Sequence, residues 1–244
     1  MNPKPRYLIV GDKGLTVEFG NSISEEINRQ VQKLHFMLGQ VHIPGLVETL
    51  PTFRSLFISY NPLEIRISDL IAEVKKIDSN LTSIPSPASR LFEIPVAYGG
   101  EYCQDLQDIA RSLKLTPEEV IQIHCSREYL VYMNGFIGGT AFIKVPEQLA
   151  QLPRKRTPAL WVPAGAVTLA GGIGAVVKPV GGPTGWHVIG KSPLKQWFPE
   201  KMPPLLILAG DRVRFKPIDE NEYEEVKRLF DRGSYEPRIL ESSQ

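Results

Sequence analysis

Four groups of residues in this sequence have types and spacings that chemistry could use. The first, Gly185-Trp186-His187-Val188-Ile189-Gly190-Lys191-Ser192, matches GxxxxGKS/T, the loop that cradles phosphates. Phosphate binding there needs a flexible loop after a strand, inward-facing N–H groups and a helix that begins at the Lys. Trp186, Val188 and Ile189 favour a strand, and Pro193 follows with no helical apolar stripe behind it. The segment therefore reads as a strand ended by a Gly turn. The second group, Gly171-Gly172-Ile173-Gly174, lacks a third Gly at dinucleotide spacing and reads as a tight hairpin. The third is the set of histidines, His35, His42, His124 and His187, which form no HxH, HxxxH or HExxH pair, so no metal site is expected. His124 ends a helix, where a cation would meet the C-terminal dipole; capping is its structural reading and acid–base work its functional one. Cys125 points about 100° away from it round the helix and reads as an inert buried thiol. The fourth group, Arg154-Lys155-Arg156, is either a solvated loop or a contact for an anionic substrate or acidic partner. There is no GxSxG elbow and no assignable Ser/His/Asp order.

The elements that must position these residues fall into two styles. Residues 1–84 alternate strands and helices. Tyr7 to Val10 and Leu15 to Phe19 read as paired strands, as do Leu46 to Leu50 and Ser55 to Tyr60. Between the pairs, Ile23, Ile27, Val31, Leu34 and Leu38 repeat at helical spacing; Ser22 with Glu25 offers a capping box, and Gly39 an end. A second helix begins near Ser68. The order β-β-α-β-β-α predicts helices on one antiparallel sheet. Residues 85–90, within the polar Pro-containing stretch Ser83–Ser89, read as a linker. Residues 91–218 form the second domain. Thr116-Pro117-Glu118-Glu119 places a cap, a Pro and an N3 carboxylate in order at a helix start. Residues 153–217 hold 9 of the 20 Gly and 10 of the 21 Pro, so short strands and tight turns are expected there. A charged helix and tail occupy 219–244.

Composition narrows the function classes. With 244 residues, the chain can bury a core without disulfides or metal. Lys+Arg 28 against Asp+Glu 27 argues against a nucleic-acid binder. No apolar run reaches the roughly 18 residues of a membrane span, and Met1–Gly14 does not read as a signal peptide. Two distant cysteines without a CxxC suit a reducing compartment, so a cytoplasmic protein is expected.

Several segments together resemble one family, in order and over nearly the whole chain. Ile94-Pro95-Val96-Ala97-Tyr98-Gly99-Gly100-Glu101 resembles the IPVxYGGE opening of the C-terminal domain in the family of the 5-oxoprolinase B component, also known from allophanate hydrolase, which includes the sporulation kinase A inhibitor. Leu115–Ile121 with His124 resembles its LSxEEVIxxH helix, and Tyr132-Met133-Asn134-Gly135-Phe136 its xMLGF segment. Val162-Pro163-Ala164-Gly165-Ala166-Val167 with Ala170-Gly171-Gly172 resembles VPAGSVGIAGG, and Pro183-Thr184-Gly185-Trp186 with Ile189-Gly190 resembles PGGWxxIG. Leu208 to Phe215 resembles the PGDRVRF close.

The resemblance implies an α+β N-terminal domain followed by a mainly-β cyclophilin-like barrel. It implies the B component of an ATP-dependent 5-oxoprolinase that converts 5-oxo-L-proline to L-glutamate and is inactive without the C and A components. ATP with Mg would act at the level of the complex, with none bound by this chain alone. Its other implication is a protein-binding module that inhibits a histidine kinase. The residues it marks for substrate, expected to line the barrel mouth, are Gly135, Phe136, Pro163, Gly165, Gly171, Gly172, Gly185 and Trp186, with His124 as the acid–base candidate. Trp197-Phe198, adjacent aromatics in an expected loop, are the candidate partner contact. The resemblance is to a divergent member: where the family has GFxPGFPYL this chain has Gly135 to Ile143 without the Pro, one Phe and one Tyr, Ala159 stands where the family has Arg, and Gly171 to Val177 replaces GGQTGIY.

Overall fold

The computed structural model describes residues 4–79, 81, 88–135 and 137–240. The chain divides into two compact units, Met1–Ala88 and Ser89–Gln244. Part of the expected linker, 85–87, lies outside the described residues.

The first unit runs β1 (Arg6–Val10), β2 (Gly14–Glu18), α1 (Glu25–Gln40), β3 (Leu46–Pro51), β4 (Ser55–Tyr60) and α2 (Ile67–Asp78). Its sheet is antiparallel in the order β1-β2-β4-β3. Alternation along β4 buries Leu56, Ile58 and Tyr60, and α1 meets them with Val31, Leu34 and Leu38. Two helix-end expectations are corrected. The cap is Ser24, not Ser22: its side chain accepts from the Ile27 N–H at 3.2 Å. Buried Asn28 explains the register, because its Nδ2 donates to the Thr52 and Phe53 carbonyls and so fixes the first turn against the sheet. The helix also passes through Gly39 to Gln40 and ends in the extended residue Val41.

The second unit contains β5 (Leu91–Ala97), a 3-10 turn at Gly100–Tyr102, α3 (Leu106–Leu113), α4 (Pro117–Cys125), β6 (Glu128–Asn134), β7 (Ala141–Lys144), α5 (Glu147–Ala150), β8 (Ala159–Val162), β9 (Ala166–Ala170), β10 (Ile173–Ala175), β11 (Gly182–Thr184), β12 (His187–Lys191), β13 (Arg212–Ile218), α6 (Glu220–Asp231) and β14 (Ile239–Leu240). Seven strands close a barrel in the order β12-β9-β10-β7-β6-β13-β5, with Lys191 paired to Ala97 at the seam. Gly190 is what lets the seam close: a Cβ there would stand 2.6 Å from Val96 Cγ1 and 2.9 Å from the Ala97 carbonyl. Inward residues of the strands, among them Ile94, Val131, Ile143, Leu169, Ile189 and Phe215, fill the interior.

The expected α+β domain followed by a mainly-β barrel is the observed architecture. Helix α4 carries the full capping box, with Thr116 accepting from the Glu119 N–H and the Glu119 carboxylate accepting from the Thr116 N–H at 2.7 Å. Helix α6 and β14 pack into the barrel unit, through buried Tyr223 and Val226 and through pairing with β5. Strands β8 and β11 form a separate two-stranded ribbon. The ribbon's Val162 packs with Ala166 and Val188 outside the interior cluster, so the ribbon covers part of the barrel's outer wall. Among the described residues no helix is long and apolar enough to cross a membrane.

Candidate functional site

The glycine-rich turns sort into three places. On β7, Ala141 and Ile143 point into the barrel, so Phe142 between them lies on the outer wall. Trp186 packs on it with ring centres 5.7 Å apart, and the Arg154 guanidinium lies 5.8 Å from the Trp186 ring. Gly135 belongs to the same patch, because a Cβ there would meet the Phe142 ring at 2.6 Å. Gly185 joins it through its carbonyl, which accepts from the Lys155 N–H at 2.8 Å. Gly135, Gly185 and Trp186 are thus brought together around Phe142 on the outer wall, with the Gly135 N–H donating to the Thr140 carbonyl at 2.8 Å. Phe136 lies outside the described residues.

Pro163 and Gly165 sit at a second place. The Gly165 N–H donates to the Lys178 carbonyl at 2.8 Å, and its own carbonyl accepts from the Ser192 N–H at 2.9 Å. A side chain would stand 2.5 Å from the Ser192 carbonyl, and φ is +87°, so only Gly serves. Gly171 and Gly172 form the hairpin between β9 and β10, tied by the Gly171 N–H to the Leu152 carbonyl and by the Gly172 carbonyl to the Val145 N–H.

The Arg154–Arg156 run is held by a partly buried ion pair. Lys155 Nζ reaches Asp105 at 2.6 Å, and Asp105 also accepts from the Val188 N–H at 2.7 Å. Lys155 is therefore structural, while Arg154 reaches Trp186 and Arg156 is exposed. His187 Nε2 lies 2.9 Å from the Pro153 carbonyl and fastens the same loop.

His124 is 1% exposed, stacked on Phe215 at 4.1 Å, with Nδ1 2.8 Å from the Tyr98 hydroxyl. Burial holds its imidazole down at about 3, so it is neutral near pH 7. Among the described residues its placement is that of a core residue. The Cys125 thiol donates to the same hydroxyl at 3.4 Å, and burial pushes its pKa up, away from thiolate chemistry. The GxxxxGKS match lies on strand β12 and its approach. Lys191 stands 5.9 Å from the Tyr102 ring centre and 5.6 Å from that of Tyr223, and these residues do not fit a phosphate cradle.

Two amides that shape the rim carry no signal in the sequence. Gln196 is fully buried; its Nε2 donates to the Gly139 and Ile207 carbonyls, and its Oε1 accepts from the Ile207 N–H. Asn134 Nδ2 donates to the same two carbonyls, and its Oδ1 accepts from the Ala209 N–H at 2.7 Å. Together they clamp the Ile137–Thr140 turn to the 205–209 segment. The turn then packs under Pro179, Trp197 and Leu205, each within 4 Å of where a Gly138 or Gly139 side chain would begin. Ile137 (48%) and Trp197 (44%) remain exposed on this rim, as do Trp161 (67%) and Leu160 on β8. The two candidate partner aromatics differ: Trp197 faces solvent, whereas Phe198 is half-buried against Phe230 at 6.1 Å, with Lys201 over its ring. Among the described residues no group of three or more His, Cys, Asp or Glu could hold a metal.

Residues 5–207 match the family model described as the carboxyltransferase domain, subdomain C and D. The chain is 38% identical to the 5-oxoprolinase B component of Bacillus subtilis, over 91% of this chain and 97% of that one. It is 32% identical to the Escherichia coli O157:H7 protein of the same name, over 89% and 98%. Among solved structures, a conserved uncharacterized protein from Pyrococcus horikoshii is 36% identical, with a TM-score of 0.52 over 89% of this chain and all of that one. Kluyveromyces lactis urea carboxylase shares the fold, with a TM-score of 0.77 over 98% of this chain and 24% of that one, at 19% identity. With a nearly end-to-end match on both sides, and the glycine turns and barrel closure its motifs require, the chain belongs to the family of the 5-oxoprolinase B component.

Proposed function

We propose that the chain is the B component of a 5-oxoprolinase, opening the lactam of 5-oxo-L-proline to give L-glutamate together with the A and C components. The observation that carries this reading is the end-to-end relationship to B-component proteins, in a chain whose candidate wall offers shape rather than proton chemistry. The wall patch consists of Gly135, Phe142, Gly185, Trp186 and Arg154, none of which carries a nucleophile or a general base. In this reading the reacting groups come from partners. In this reading ATP and its Mg act at the level of the assembled complex. The second reading, a module that inhibits a histidine kinase, is favoured by the same exposed apolar rim at Ile137, Trp161 and Trp197.

Purification of the tagged chain from its native cells tests both. Recovery of the A and C components supports the oxoprolinase reading; recovery of a histidine kinase without them supports the other; recovery of neither rejects both.

The placement of the rim and seam side chains sets two expected outcomes. Trp197→Ala weakens binding to the C component by about 2 kcal/mol, roughly 30-fold in Kd, with the melting temperature unchanged. Phe198→Ala instead lowers the melting temperature, because it removes the contact with Phe230. Isothermal titration and thermal melting of the single variants separate the two; unchanged affinity in Trp197→Ala removes that residue from the interface. Lys191→Ala leaves the KM of the complex for ATP within twofold and costs about 0.5–1 kcal/mol of stability through loss of its contacts with Tyr102 and Tyr223. A collapse of ATP affinity with the fold intact would place the nucleotide on β12 after all.

A further inference from the structure

From Gln148 to Pro199 the sequence holds no Asp or Glu and six cations: Arg154, Lys155, Arg156, Lys178, Lys191 and Lys195. The rest of the chain is left with 22 Lys and Arg against 27 Asp and Glu, so the positive excess is concentrated in the segment that builds β8 to β12. Four of the six are engaged. Lys155 binds Asp105, Lys195 binds Asp231 at 2.6 Å, and Lys191 lies over two tyrosine rings. Arg154 rests on Trp186, and Arg156 is exposed.

Lys178 differs from all of these. It is half-buried, and among the described residues no carboxylate lies within ion-pair distance. Its backbone is fixed in the wall, the N–H donating to the Ala166 carbonyl at 2.8 Å and the carbonyl accepting from the Gly165 N–H at 2.8 Å. Its ammonium reaches to 3.9 Å from where a Gly182 Cβ would stand. The neighbouring Gly181 carries the Trp161 indole against it, so close that a Cβ would be 2.5 Å from the ring. The ammonium thus lies beside bare Gly182 backbone, and the Trp161 indole lies against the adjoining Gly181. Burial without a counter-ion pushes the Lys178 pKa down, a penalty that a bound anion reverses.

We infer that Lys178, the Gly181–Gly182 backbone and the Trp161 indole form a binding site for a small carboxylate, the charged group of 5-oxoproline that stays intact while the lactam opens. The ammonium supplies the ion pair and the indole a flat apolar surface for the ring. The identity of the ligand rests on the oxoprolinase reading; the anion site rests on the geometry.

The test is a titration of the ¹⁵N-labelled full chain, followed at the Gly181 and Gly182 amides and the Trp161 indole N–H. 5-Oxo-L-proline shifts these signals and its uncharged carboxamide does not. The response is lost in Lys178→Ala and partly restored in Lys178→Arg, with the remaining amide spectrum unchanged. Absence of shifts in the wild type, or equal shifts in Lys178→Ala, overturns the site. Inorganic phosphate moving these signals where 5-oxo-L-proline does not overturns the carboxylate assignment. In the reconstituted complex Lys178→Ala raises KM for 5-oxo-L-proline tenfold or more with little change in kcat, and an unchanged KM counts against the assignment. If the wild-type complex does not turn over 5-oxo-L-proline, the oxoprolinase reading fails, while the titration still decides the anion site.

Discussion

Lowering the pH from 7 to 4 will destabilise the wild-type barrel unit markedly more than the same unit carrying His124→Asn. In the folded chain the His124 imidazole is sealed between Phe215 and Tyr98, and burial holds its pKa from the ordinary 6.5 down to about 3. In the unfolded chain it takes up a proton near its ordinary value. Between those two values the unfolded state binds more protons, so stability is full above about pH 6.5 and falls as pH drops toward 3. The slope is ~1.4 kcal/mol per pH unit, and the whole window is worth on the order of 5 kcal/mol. Carboxylates titrate in the lower part of the same range, which is why the variant is the comparator. Asn keeps a polar atom near the Nδ1 position, has no ionisation there, and gives a lower stability at pH 7 with a flatter dependence. Urea unfolding at pH 7, 6, 5 and 4 measures both slopes; equal slopes would mean that His124 takes up its proton in the folded chain.

The second large effect is expected from Asp211→Ala. Asp211 is buried, and its carboxylate accepts from Arg90 Nε at 3.0 Å, Arg90 Nη2 at 2.6 Å and the Leu208 N–H at 2.8 Å. Its backbone carbonyl also accepts from the Val131 N–H. Removing the carboxylate strands the Leu208 N–H, takes a longer contact at 3.4 Å from the Arg90 N–H, and leaves one partner of a charge pair. Breaking a fully buried pair costs about 3–5 kcal/mol, but Arg90 is partly exposed and can turn to water, so about 2–3 kcal/mol is expected. Asp211→Asn keeps an acceptor for Leu208 and loses less. The turn that Asp211 holds also carries Ala209, which Asn134 grips, so Asp211→Ala additionally loosens the Ile137–Thr140 rim. Denaturant unfolding of the two variants, with ¹⁵N spectra of the 137–140 amides, checks both parts. An Ala variant as stable as the Asn variant would show that the Leu208 contact contributes little.

Local physics makes much of the fold legible. The Thr116–Glu119 capping box, the two strand pairs of the first unit and the dense Gly and Pro punctuation of the barrel each act within a few residues, so they can be read without knowing the neighbours. The start of α1 is different. Ser22 and Ser24 both offer a cap, and the choice is made by Asn28 reaching Thr52 and Phe53, more than twenty residues away. The same separation hides the rim. Asn134 is fixed by Ala209, and Gln196 by Gly139, contacts that exist only once the barrel has closed. Glycine positions are visible by type, but the face each serves is not. Gly135 and Trp186 are placed on the outer wall by the alternation of Phe142 between two core residues, and no spacing within their own motifs carries that information. Lys178 is silent in the sequence for a related reason. A single lysine has no pattern, and its character comes from its three-dimensional surroundings.

Whether this chain contributes shape and contacts to a shared oxoprolinase site is tested most directly by glutamate release from 5-oxo-L-proline. The assay compares the chain alone, the A and C components alone, and all three together, each with and without ATP and Mg. ATP-dependent glutamate release is predicted only from the three-part mixture. Turnover by the chain alone, or equal turnover by the A and C components without it, would contradict a shared site.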